Sequence, residues 1–336
     1  MPVILEIILK CLVLVFVLLT GFAYMSLVER KVLARLQARY GPNRAGPMGL
    51  LQPLADGLKL IVKESITPTA VDVPVYFLAP VLVVIPALIL FAVIPVGPGD
   101  MFQLASQVNV GVLYVLGVMG VAVYGIVLAG WSSNNKYASL GGLRASAQVI
   151  SYELGMGLAM VVVVLMAGSM SMADIVAAQL PGQYGGVLGW FIFRQPVAAV
   201  VFAITALAET MRSPFDLVEA EQELTAGYMT EYSGMKFALF FMGEYVKMIA
   251  VSGLFTTFFL GGWSGPFAME VPVLGLVYFT LKVIACLLLM ILVRATLPRV
   301  RYDKLMAIGW KTLIPVMLAN VVVTAVLIVA GVPGYK

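Results

Sequence analysis

Residues 3–28 read Val-Ile-Leu-Glu-Ile-Ile-Leu-Lys-Cys-Leu-Val-Leu-Val-Phe-Val-Leu-Leu-Thr-Gly-Phe-Ala-Tyr-Met-Ser-Leu-Val, with Glu6 and Lys10 as the two charges. A helix gains about 1.5 Å per residue and the hydrocarbon core of a bilayer is about 30 Å thick, so this run is long enough to cross. Glu6 and Lys10 stand four apart, on one helical face, and can pair. A barrel strand would show alternation over about ten residues, which is absent here. Seven further apolar runs, at approximately 75–95, 108–130, 146–168, 186–208, 234–262, 271–294 and 311–333, extend the pattern. The fold predicted is an all-α polytopic membrane protein of about eight transmembrane helices, a single membrane domain over 1–336. No polar, small-residue cleavage site follows the first run, so it is expected to remain as a permanent helix.

Composition agrees. Of 336 residues, 62% are hydrophobic and 11% charged, with a mean hydropathy of +1.02. Soluble domains carry roughly 45–50% apolar and about 25% charged residues. A soluble enzyme is excluded. There is no histidine, and the two cysteines, Cys11 and Cys286, lie in separate apolar runs. Bis-histidine haem is therefore impossible, and an iron–sulfur cluster, which needs several thiolates, is nearly so. No metal site is expected. Neither is a disulfide framework.

Lys and Arg sort the connections into two classes. Segments 29–74, 131–145, 209–233 and 295–310 hold thirteen, whereas 96–107, 169–185, 263–270 and the tail hold one, Lys336. The basic class is expected to face the cytoplasm, or the matrix in an organelle, with both termini opposite. The net charge of +4 is then a topology signal and gives no reason to invoke nucleic acid. The other connections, such as Gly97-Pro98-Gly99-Asp100 and Pro181-Gly182-Gln183-Tyr184, read as plain turns.

Two inner loops, 29–74 and 209–233, carry most of the polar chemistry. After the first span, Glu29 to Arg39 continues with helix formers and places Lys31, Arg35 and Arg39 on one face, until Tyr40-Gly41-Pro42-Asn43 breaks it. This is a basic patch suited to anionic lipid. From Gly49 to Glu64, Leu50, Leu51, Leu54, Leu58, Ile61 and Val62 form one stripe, and Gln52, Asp56, Lys59 and Lys63 the other. That is an amphipathic helix lying on the membrane surface, either a simple anchor or a lid over a lateral opening. Loop 209–233 breaks the basic rule. Glu209, Asp216, Glu219, Glu221, Glu223 and Glu231 face one base, Arg212, for a net −5. Ser213-Pro214-Phe215-Asp216 reads as a helix start, with Ser213 as N-cap and Asp216 closing a capping-box-like turn. In the helix so begun, Asp216, Glu219 and Glu223 share a face, where like charges favour proton uptake. The bland alternative is a solvated charge run.

Charges inside the spans are costly and are usually paired or face water. Glu244 and Lys247, three apart, are expected to pair with each other. Arg194 and Lys282 also stand in apolar surroundings. Glu153 has no local partner and is the stronger functional candidate.

These runs resemble one family. Glu29-Arg30-Lys31, Gly41-Pro42-Asn43 and Gly49-Leu50-Leu51-Gln52-Pro53-Leu54-Ala55-Asp56-Gly57-Leu58-Lys59 look like the first inner loop of the H subunit of NADH:quinone oxidoreductase (respiratory complex I), the family of mitochondrial NADH dehydrogenase subunit 1. Ala208-Glu209-Thr210-Met211-Arg212-Ser213-Pro214-Phe215-Asp216-Leu217, the stretch from Glu231-Tyr232 to Glu244-Tyr245, and Arg294-Ala295-Thr296-Leu297-Pro298-Arg299-Val300-Arg301-Tyr302-Asp303 match as well. The resemblance implies a proton-pumping complex of the respiratory chain in a bacterial inner membrane, or the mitochondrial one. In it this chain forms most of a quinone tunnel and holds no redox centre, with FMN and iron–sulfur clusters in partner subunits. It assigns Arg30, Arg39, Asp56, Lys59, Phe215 and Arg294 to the tunnel, and Glu153, Glu209, Asp216, Glu219, Glu221, Glu223 and Glu244 to proton coupling. Glu29, Lys31, Arg299 and Arg301 are read as structural or subunit-contact residues. Implied partners are the other complex I subunits, quinone and membrane lipid. A hydrogenase-type relative and a stand-alone cation/proton transporter are the competing readings.

Overall fold

The computed structural model describes residues 2–99, 104–105, 107–180, 189–216 and 225–332. Among these no strand occurs, and seven helices are long and apolar enough to cross a membrane. The chain is an all-α polytopic membrane protein. In chain order the helices are α1 (Pro2–Leu36), α2 (Gln52–Val62), α3 (Val73–Ile89), α4 (Gly111–Ser132), α5 (Lys136–Ala167) and α6 (Met172–Ala177). They continue with α7 (Phe191–Arg194), α8 (Pro196–Glu209), α9 (Gly234–Phe259), α10 (Pro272–Thr296), α11 (Tyr302–Ala307) and α12 (Ile314–Val329). A π-turn, Ile308–Leu313, joins the last two into one rod.

The first span does not stop where its apolar run ends. Glu29 to Leu36 continue the same helix, and Ala38, at φ 52°, ends it. Arg39 N then donates to Ala34 O at 2.9 Å and Ala38 N to Arg35 O at 3.1 Å. This pair of reversed bonds satisfies carbonyls that the last turn would otherwise leave open. The surface helix forms as expected, though shorter, as α2. Its apolar stripe, Leu50, Leu51, Leu54, Leu58, Ile61 and Val62, is exposed, which suits contact with lipid.

Helices α3, α4, α5 and α9 form the buried centre, while α1, α10 and α12 turn most of their apolar surface outward. Close approach in a membrane depends on small residues, because lipid tails are as apolar as leucine. A Cβ on Gly125 of α4 would lie 2.9 Å from Ala79 O on α3. One on Gly141 of α5 would lie 2.6 Å from Gly227 Cα, so α5 is pressed against the end of the acidic loop.

The fifth expected span is broken. Residues 189–209 give α7, a non-helical Gln195 at φ −126° and ψ 58°, and then α8 of 14 residues. Pro196 explains the break, since its ring crowds the residue before it out of the helical region.

The sorting into two ends is recovered. Asp72 N donates to Ser132 O (3.1 Å), Tyr76 OH to Glu231 O (2.7 Å), Asn135 Nδ2 to Glu231 Oε1 (2.6 Å) and Val300 N to Pro214 O (2.9 Å). All four connections expected on the inner side therefore meet. At the opposite end Val112 N donates to Met170 O (3.1 Å), and Lys282 Nζ donates to the carbonyls of Leu260, Gly262 and Ser264 at 2.7–2.9 Å. The inner end has its own lock. Tyr76 and Tyr232 stack with centroids 4.2 Å apart, and Lys236 Nζ donates to Thr67 Oγ1 at 2.7 Å. Burial pushes the Tyr232 phenol up to about 12, so it stays protonated and keeps donating to Tyr76 O (3.2 Å) well above neutral pH.

In a variant with Cys11 and Cys286 replaced by serine, single cysteines at Ser65, Lys136 and Arg301 should label with an impermeant thiol reagent from one side. One at Met269 should label from the other. Labelling of Ser65→Cys and Met269→Cys from the same side would overturn this topology.

Candidate functional site

Helices α8 and α9 run antiparallel, and two ion pairs cross between them. Glu209, the last residue of α8, meets Lys247 of α9 at 2.6 Å, and Arg212, three residues on, meets Glu244 at 3.5 Å. The rungs have opposite polarity. Glu244 and Lys247, expected to pair with each other, instead each take a partner from the neighbouring segment. The reason is that both point off α9 toward the end of α8, where an opposite charge waits at matching three-residue spacing.

Arg212 also reaches Glu29 of α1, Nη1 to Oε1 at 3.9 Å, and the same carboxylate is held by Arg294 of α10. Tyr228 OH donates to Glu244 Oε1 at 3.2 Å, and the Arg212 guanidinium lies 4.5 Å from the Tyr245 ring centre. Among the described residues, three acids (Glu29, Glu209, Glu244) and three bases (Arg212, Lys247, Arg294) thus form two neighbouring sets, the Glu209–Lys247 pair and the Glu29–Arg212–Glu244–Arg294 cluster, on α1, α9, α10 and the end of α8. Exposure is 4% at Glu29, 0% at Glu209, 5% at Arg212, 8% at Glu244 and 7% at Lys247. Desolvating so many ions is tolerable only because each finds an opposite charge.

Glu153 of α5 is the extra carboxylate. It is half-buried and within electrostatic reach of both Glu209 and Lys247. Gly120 of α4 faces it, and a Cβ there would stand 3.5 Å from Glu153 Oε1, an ordinary contact distance. Among the described residues Glu153 stands as an additional carboxylate beside the Glu209–Lys247 pair.

The chain after α8 is irregular. Phe215 N donates to Arg212 O at 2.9 Å, closing a turn, and residues 213–216 are not helical. The helix start expected at Ser213 is therefore absent within the described residues. Asp216, expected to cap it, is drawn to Arg299 at 3.3 Å. Gln148 of α5 compensates the irregular backbone, its Nε2 donating to both Ala208 O and Phe215 O at 2.9 Å. Phe215 itself is buried against the Tyr152 ring, centroids 5.5 Å apart. Tyr152 OH in turn donates to Leu305 O at 2.9 Å, and Trp310 Nε1 to Ser151 Oγ at 3.1 Å, which seats the π-turn on α5.

The expected tunnel residues divide. Arg30 pairs with Asp56 at 2.8 Å, Gln52 supports Asp56 at 3.0 Å, and Lys31 bonds the Met48 carbonyl, so α2 is strapped to the end of α1. Lys59 and Arg39 are exposed, Arg39 bonding Gln37 at 2.8 Å. Arg294 lies with the buried network instead. Arg301 is exposed and pairs with Asp303 at 3.1 Å. Glu219, Glu221 and Glu223 lie outside the described residues. Sequence reasoning misses Arg212, Lys247, Tyr228 and Gln148 as site residues. One signal was available, for Arg212 is the single base in a loop of six acids.

Residues 9–325 match the family model described as NADH dehydrogenase. The chain belongs to the NADH dehydrogenase family. Its relatives include the NADH-quinone oxidoreductase H subunit of Protochlamydia amoebophila, 50% identical over 312 residues (91% of this chain, 92% of the relative). The first of the numbered H subunits of Geobacter metallireducens is 51% identical over 321 residues, 94% of each chain. The H subunit of Rhodospirillum rubrum is 49% identical over 323 residues, 95% of this chain and 93% of the relative. The family match over residues 9–325 takes in every described segment that contributes to the buried ion pairs.

Proposed function

We propose that this chain is the H-type membrane subunit of an NADH-quinone oxidoreductase, in an energy-transducing inner membrane and assembled with the other subunits of that complex. Electrons reach quinone from FMN and iron–sulfur clusters held by partner subunits, and this chain contributes protein walls and charges but no redox centre. The relatives' names and full-length similarity support the assignment. Within it, the segment around α2, Arg30, Asp56 and the end of α1 borders the entry for the quinone from the bilayer. The buried carboxylates carry the coupling to proton movement.

The observation that supports the coupling reading is Glu153 within electrostatic reach of the buried Glu209–Lys247 pair. Two-electron reduction makes a quinone head negative until two protons arrive. A nearby rise in negative charge draws protons toward carboxylates in a poorly screened interior. The chain needs no covalent step of its own, since changes of protonation at Glu153 and along the acidic loop suffice to pass the signal on. A structural anchor or an independent transporter would show none of this dependence on quinone turnover.

In assembled complex carrying Glu153→Gln, electron transfer from NADH to a water-soluble acceptor should be unchanged. NADH oxidation linked to quinone should fall at least about tenfold, equivalent to about 1.4 kcal/mol in barrier. Full quinone turnover with full proton pumping would refute the role of Glu153.

A further inference from the structure

At the inner end, between the start of α3 and the end of α4, lies a half-open pocket of about 200 Å³ lined among others by Asp72, Val75, Leu128, Trp131, Ser132 and Asn134. Drug-sized ligands occupy pockets of roughly 300–1,000 Å³, so this one suits a smaller group. Its electrostatics are two-sided. The α3 N-terminus presents the positive end of a helix dipole and the α4 C-terminus the negative end. Asp72 stands at the N-cap of α3, yet its carboxylate makes no capping hydrogen bond and, among the described residues, no ion pair. Among the described residues the lining contains no base. The side-chain oxygens of Asp72 and Asn134, both exposed, are acceptors for N–H groups, whereas the Ser132 hydroxyl is buried against Ala129 O and Tyr232 OH.

The surface below the pocket is apolar and open. On α3, Leu78, Ile85 and Ile89 are 42–51% exposed and follow Val75 at helical spacing. On α4, Leu113, Val121 and Tyr124 are 43–67% exposed and follow Leu128 in the same manner toward the opposite end. The two stripes run side by side, since Tyr114 OH donates to Ile89 O at 3.2 Å at their far end. Trp131, 74% exposed at the pocket rim, stands at the depth where indoles favour the membrane interface.

We propose that this pocket seats the headgroup of an amine-bearing zwitterionic phospholipid of the ethanolamine type, its ammonium on Asp72 and its acyl chains along the α3–α4 stripes. A choline headgroup offers no N–H to the two accepting side chains. An anionic headgroup meets a carboxylate and no base. This assignment is independent of the quinone reading, because none of these residues belongs to the buried network.

The test uses the intact complex in nanodiscs doped with diazirine-tailed phosphatidylethanolamine, phosphatidylcholine or phosphatidylglycerol, with adducts mapped by mass spectrometry. The ethanolamine probe should label residues 73–89 and 111–132 about tenfold over the glycerol probe, a preference of about 1.4 kcal/mol. Asp72→Asn should reduce that labelling to the glycerol level, while electron transfer from NADH to a water-soluble acceptor stays unchanged as a control for assembly. Equal labelling by the ethanolamine and choline probes, labelling undiminished in Asp72→Asn, or cross-links from this face to another subunit in place of lipid would each overturn the proposal.

Discussion

Arg212→Met is expected to destabilise the membrane domain strongly while still allowing the complex to be purified. The guanidinium stands between two carboxylates, Glu29 and Glu244, that are 4% and 8% exposed. Removing one partner from a buried ion set leaves uncompensated charge and costs about 3–5 kcal/mol. That is a large fraction of the roughly 5–15 kcal/mol typical of a whole domain. Arg212→Lys should fall between wild type and methionine, because an ammonium is a point charge and cannot fork to two carboxylates while lying over the Tyr245 ring. Thermal aggregation midpoints of the purified complex, measured in one detergent, should rank wild type above Arg212→Lys and that above Arg212→Met. Equal midpoints for wild type and Arg212→Met would show that the network is not held by this residue.

The second large effect is at the other rung. Lys247→Met strands Glu209, whose exposure is 0%, without its 2.6 Å partner, and again about 3–5 kcal/mol is expected. The informative variant is the double one. Lys247→Met with Glu209→Gln removes both charges and keeps the volume, so it should recover most of the loss in a double-mutant cycle. A double variant no more stable than Lys247→Met alone would mean that the lysine acts through packing, and the ionic account of this rung would fail.

How much of this was legible in the sequence depends on the range of the interaction. The long spans and the two-ended sorting of connections rest on local apolarity and charge, and both are present in the structure. So is the surface helix, where one stripe of leucines announces its orientation. The break before α8 was written in Gln195-Pro196 but masked by apolar neighbours that kept the hydropathy high. The pairing within the network was not legible. Glu29, Arg212, Glu244 and Arg294 lie on four separate segments, and only the packing of α1, α8, α9 and α10 decides who meets whom. Spacing alone misled twice. Glu244 and Lys247 have the right interval to pair on a helix, and Ser213 to Asp216 the right interval for a cap, yet in both cases a charge from another segment made the better partner.

The shortness of α8 has an electrical consequence. Fourteen residues of helix rise about 21 Å, less than the roughly 30 Å of a hydrocarbon core. Lys247, which receives the end of α8, is the fourteenth of the 26 residues of α9, so the Glu209–Lys247 pair sits about halfway along a full crossing. A unit charge carried across a whole membrane works against about 2.3 kcal/mol per 100 mV. One moved between the inner surface and this pair therefore crosses about half the field and exchanges roughly 1 kcal/mol per 100 mV with it. The truncated helix thus places its terminal carboxylate, together with the lysine it meets, inside the voltage drop and away from the inner surface.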